Sequence, residues 1–70
     1  MEKIKIDEQG NPYIDIGQIR VSLVKREGGK RVLTISDQKG AGAEFDVTNH
    51  AEETITALHS ACVLLIRYKG

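Results

Sequence analysis

The residues best placed to do chemistry lie in one short stretch, Val24 to Val32, which reads VKREGGKRV. Two basic pairs, Lys25-Arg26 and Lys30-Arg31, flank Glu27 and a Gly-Gly pair. Cations held at the tip of a turn can contact the phosphates of a polyanion, and each phosphate they neutralise releases counterions. The other reactive side chains are Ser22, Ser36, Ser60, His50, His59, Cys62 and scattered carboxylates. None stands at a spacing that puts a nucleophile beside a base. Two histidines and one distant thiol do not make a structural zinc site. The sequence therefore predicts no enzyme, no metal and no cofactor, and it points to binding.

Charge is unevenly distributed. The 70 residues carry ten Lys and Arg against ten Asp and Glu, a net charge of zero. Within residues 20–39, however, Arg20, Lys25, Arg26, Lys30, Arg31 and Lys39 face only Glu27 and Asp37, a local +4. The segments on either side carry −2 each. A globally basic nucleic-acid binder is excluded, but a local basic element is not.

The elements that hold these residues follow from periodicity. KIKID, YIDIG, IRVSL, RVLTIS and AEFDV alternate apolar and polar residues, the period of strands buried on one face. Gly10, Asn11 and Pro12 interrupt the first two runs with turn chemistry. Lys39 to Glu44, KGAGAE, reads as a flexible connection; its Gly-x-Gly is too short for a phosphate loop. Ala51, Ile55, Leu58, Cys62 and Leu65 recur at helical steps, which predicts a helix over about 50–68. Asn49, with Glu52 three residues on, resembles a capping box. Glu52 and Glu53 suit the helix N-terminus, and Arg67 and Lys69 suit its C-terminus.

The fold expected is α+β in a single domain, residues 1–70. A curved antiparallel sheet of four to five strands within 3–48 is covered by one C-terminal helix. A two-residue Gly28-Gly29 loop would mix polar and apolar residues on both faces. An odd loop pairing Leu23 with Ile35 puts Ile19, Val21, Leu23, Leu33 and Ile35 on the helix-facing side. Arg20, Ser22, Val24, Arg26, Val32 and Thr34 then form the open face. Phe45 and Cys62 read as core.

A 70-residue domain is marginal alone, and one cysteine allows no internal disulfide. The helix is apolar nearly all round from Ala61 to Ile66, which one small sheet cannot cover. A homodimer through Leu58, Ala61, Cys62, Leu65 and Ile66 is expected. The run ACVLLI is too short to span a bilayer. With a lone thiol and no signal-peptide pattern, the chain reads as cytoplasmic, with no membrane partner and no small-molecule substrate.

The segments IGQIRVSLVKREGGKRVLTI and AEFDVTNHAEETITAL resemble the single-stranded DNA-binding core of the positive-cofactor-four family, over Ile16 to about Leu65. That resemblance implies a four-stranded sheet with one helix, dimerisation through the helix, and single-stranded nucleic acid across the exposed sheet face. Lys25, Arg26, Lys30 and Arg31 match the family's basic hairpin, Arg20 matches a strand position on the same face, and Lys39 extends the basic set. The hairpin aromatic of that family is absent here. The opening, Lys3 to Ile35, is also similar to the carbon-storage-regulator family of messenger-RNA-binding dimers. Asp7, Glu8 and Gln9 stand where that family carries basic residues. The function expected is a single-stranded nucleic-acid-binding module, DNA-directed and tied to transcription or replication. The alternative is a small protein-interaction module without nucleic acid.

Overall fold

The computed structural model describes residues 3–68. Five strands form one antiparallel sheet in sequence order: β1 (Lys5–Ile6), β2 (Pro12–Ile16), β3 (Ile19–Lys25), β4 (Arg31–Asp37) and β5 (Gly42–Asp46). One helix follows, α1 (Ala51–Tyr68). The α+β layout and the helix bounds agree with the sequence.

The turns show why the meander forms. DEQGN (Asp7–Asn11) and DQKGA (Asp37–Ala41) use the same device. In each, the Asp carboxylate accepts from the N–H two and four residues on, at 2.8–3.0 Å. The Asp carbonyl accepts from the following glycine, Gly10 or Gly40. An aspartate closing its own turn is a familiar turn former. Asn11, the one residue more than nine-tenths buried among those described, extends the first turn. Its side-chain oxygen accepts the Lys25 N–H at 3.2 Å. The β2–β3 pairing ends at Tyr13 and Ser22, so Asn11 serves the end of β3 where the ladder has stopped.

The β3–β4 hairpin corrects the expected pairing by two residues. Leu23 faces Leu33, Val21 faces Ile35 and Lys25 faces Arg31. The loop is the odd one expected, but it consists of Glu27, Gly28 and Gly29, closed by the Arg26 N–H donating to the Lys30 carbonyl at 2.8 Å. Gly28 and Gly29 both take positive φ, 74° and 75°. Any L-residue there would be strained by about 1–2 kcal/mol, which is why the pair is Gly-Gly. A shift of two preserves which side each residue faces. Ile14, Ile19, Val21, Leu23, Leu33, Ile35 and Phe45 therefore share one face by register.

KGAGAE is not wholly a loop, since Gly42 to Glu44 belong to β5. Gly42 has a steric reason. A Cβ there would collide with the Ile35 carbonyl oxygen and lie 2.7 Å from the Ser36 Cα. Gly42→Ala should therefore loosen β5, with a loss of about 1–3 kcal/mol expected for forced overpacking. Thermal unfolding followed by circular dichroism reads this directly; an unchanged midpoint would contradict it.

The helix departs most from expectation. It does not cover the sheet. Asp46 ends the edge strand, Val47 still donates its N–H to the Arg31 carbonyl at 2.9 Å, and Thr48–His50 lead into the helix. The groove that α1 forms with the sheet reaches only to Ala61, where Ala57, Leu58 and Ala61 line it with Phe45. No residue of α1 is buried, and among the described residues no hydrophobic residue is buried. Cys62, expected in a core, is exposed, and Phe45 is 37 % exposed. Ile55, Leu65 and Ile66 are 67 %, 66 % and 73 % exposed. The Asn49 cap also differs: the His50 carbonyl accepts the first helical bond, from Thr54 N–H at 3.0 Å, and no side-chain hydrogen bond links Asn49 to Glu52 among the described residues. Lys69 lies outside the described residues.

The radius of gyration is 13.1 Å, against about 11 Å for a compact 70-residue domain. The 39 Å long axis is consistent with a helix that runs beyond the sheet.

Candidate functional site

Register divides the six basic residues among three places. Arg20 and Arg26 belong to the polar face of the sheet, with Tyr13, Ser22, Thr34 and Glu44. Lys25 and Arg31 are direct cross-strand partners and by alternation sit at the rim of the apolar face. Lys30 stands beside them in the loop. Lys39 is in the β4–β5 turn, at the other end of β4. Seven residues of strand separate it from the hairpin tip, about 23 Å. The expected single basic surface is therefore a cluster at one hairpin tip, two arginines on the polar face and one remote lysine.

The two arginines already have partners. Arg20 grips Asp15 through Nε at 2.7 Å and Nη2 at 3.1 Å, and its guanidinium lies 4.1 Å from the centre of the Tyr13 ring. The pairing explains this. Asp15 is the cross-strand partner of Arg20, and Tyr13 is its diagonal neighbour, both within reach on one face. Arg26 Nη2 contacts Glu44 Oε1 at 3.2 Å. Arg20, expected to meet phosphate, is thus held by a carboxylate and an aromatic ring. Its guanidinium in turn covers the Tyr13 ring face on which a base could stack.

The Arg20 hydrogen bonds hold the Asp15 carboxyl below its ordinary value of 3.8. Because that folded-state pKa is depressed, the contribution of the pair is present at neutral pH and is lost as pH falls through the depressed value. Arg20→Ala should return the Asp15 titration toward 3.8, as read by carboxyl-carbon NMR. No change on substitution would show that the pair does not persist in solution. The Asp46 carboxyl is lowered in the same direction by the Thr48 N–H, which it accepts at 3.0 Å, and by the Thr48 hydroxyl. The Thr48 hydroxyl oxygen also accepts the Arg31 N–H at 2.8 Å. That bond ties the basic hairpin to the chain leaving β5, a link that sequence pattern does not disclose.

Lys25, Lys30 and Arg31 form no salt bridge among the described residues. Like charges placed directly opposite each other across a ladder repel. Glu27, their neighbour in sequence, does not offset them by a direct contact. The tip is therefore where three expected site residues remain together with no direct ion pair among the described residues, the Asp46 carboxylate acting on Lys30 only at longer range.

Among the described residues there is no cluster of three or more His, Cys, Asp or Glu that could hold a metal ion. No helix among them is long and apolar enough to cross a membrane. Compared with protein-family models, curated proteins and solved structures, the chain finds no match.

Proposed function

We propose that this protein is a single-stranded nucleic-acid-binding module in which the β3–β4 hairpin tip meets phosphates. The observation that carries this reading is the direct opposition of Lys25 and Arg31, with Lys30 adjacent and no carboxylate paired to any of the three. A bound polyanion relieves that repulsion. Arg26 can join once a phosphate competes with Glu44 for its guanidinium, since the pair is open to water. The two families that the sequence resembles supply the single-stranded substrate class, with DNA and a role in transcription or replication as the leading form. Arg20 then acts as an organiser of the polar face, and Lys39 as a second, distant contact on a longer strand. Binding of a labelled single-stranded oligonucleotide at two salt concentrations tests the proposal. Affinity that falls with salt supports it, and no binding at low salt overturns it.

A second reading is favoured by a different observation. The uncovered sheet face and the exposed helix suit a protein-interaction module that needs no nucleic acid. Absence of oligonucleotide binding, together with stable capture of a different folded protein by the helix, would favour it.

A further inference from the structure

The chain exposes two apolar surfaces that its own fold keeps apart. One is the sheet face where Val21, Leu23, Leu33 and Ile35 are half-buried and Ile16, Ile19 and Phe45 beside them are exposed. The other is the helix stripe Ile55, Cys62, Leu65 and Ile66. On a helix of 3.6 residues per turn, the side that meets Phe45 carries Thr54, Ala57, Leu58 and Ala61. Ile55, Cys62 and Ile66 are turned away from that side by about 110°, and Leu65 lies between the two. So the most apolar side of α1 does not address its own sheet.

Area says how much cover is missing. The accessible surface is 6052 Å², while a folded chain of 7.7 kDa exposes about 4,300 Å². The excess is about 1,700 Å² per chain, or about 3,400 Å² for two chains, within the range of obligate homodimers.

From this match we infer that two copies exchange helices, each laying the Ile55–Ile66 stripe of α1 across the apolar sheet face of the other. One contact, repeated by two-fold symmetry, removes both exposed surfaces. Dimensions agree: the 18-residue helix is about 27 Å long, and the seven-residue strands β3 and β4 run about 23 Å. The sequence alone placed the interface between helices; the exchanged seating instead makes sheet and helix partners. It leaves Arg20, Arg26 and the polar face free, brings the partner helix up to the rim where Lys25 and Arg31 stand, and does not require that the hairpin bind nucleic acid.

The test uses the unaltered full chain. Carbon-13-labelled and unlabelled protein are unfolded, mixed in equal amounts and refolded. Isotope-filtered NOE spectra then report only contacts between chains. The result expected is cross-chain NOEs from the methyls of Leu33 and Ile35 to those of Leu65 and Ile66. The proposal is overturned if sheet-to-helix NOEs occur only within one chain. It is equally overturned if the cross-chain NOEs join helix to helix alone, or if none appear.

Discussion

Ile35→Ala should cost about 2–5 kcal/mol per chain, the range for truncating a covered aliphatic side chain. In the single chain Ile35 is only half-buried, and removing its methyl groups from a face open to water would cost about 1 kcal/mol. The two values are far enough apart to decide. Ile35 sits at the middle of β4, opposite Val21 on one side and Ala43 on the other. Its neighbours are small or aliphatic, so its loss leaves a void wherever something packs above it. Urea unfolding at fixed protein concentration reads the difference. The wild-type midpoint should also rise with protein concentration, because association stabilises only the folded chain. A loss near 1 kcal/mol, with a midpoint independent of concentration, would mean that the face is open in solution.

The second large effect concerns the hairpin. Three phosphate contacts per hairpin give a salt slope of about −2 on a single strand, so wild-type affinity should fall roughly 20-fold between 50 and 200 mM salt. Changing Lys25, Lys30 and Arg31 together to Ala should flatten that slope and weaken binding at 50 mM by about 10²–10³-fold. In the single chain these side chains are exposed, so circular dichroism and molar mass of the variant separate a lost contact from a lost fold or dimer. Lys39→Ala, at the opposite end of β4, should change the slope by no more than about 1. A triple variant that binds like the wild type would remove the tip from the site. If Lys39 proved dominant instead, the contact surface would lie at the Gly17–Gly40 end of the sheet.

Much of this architecture was legible in the residues. Period-two alternation located the strands, and the helical stripe located α1, because both patterns record which side of an element avoids water. The parity of the hairpin was legible too, since only an odd loop keeps Ile19, Val21 and Leu23 on one side. Its offset was not. Glu27 joins the loop because Gly28 and Gly29 both take left-handed conformations, and alternation is blind to a shift of two. The D-x-x-G pattern at Asp7 and Asp37 is a turn signal in its own right, because each Asp carboxylate closes its turn.

The site was less legible than the fold. Charge counting found Arg20, but only the register reveals that Asp15 stands opposite it. The same holds for Arg26 and Glu44, which lie 18 positions apart and meet only because β5 pairs with β4. Asn11 gave no sign that its side chain would serve Lys25 across the sheet. The placement of the helix was hidden for a related reason. Periodicity states which side of α1 is apolar, and says nothing about which surface covers it. The helix does not close over its own sheet, and so no hydrophobic residue among those described is buried.

The central claim is that the apolar sheet and helix are two halves of an interface that a second copy completes. Molar mass by sedimentation velocity across a dilution series tests it most directly. The account predicts a species at twice the 7.7 kDa chain mass, persisting on dilution to the nanomolar range. A folded species at the chain mass itself, with native circular dichroism at micromolar concentration, would contradict it.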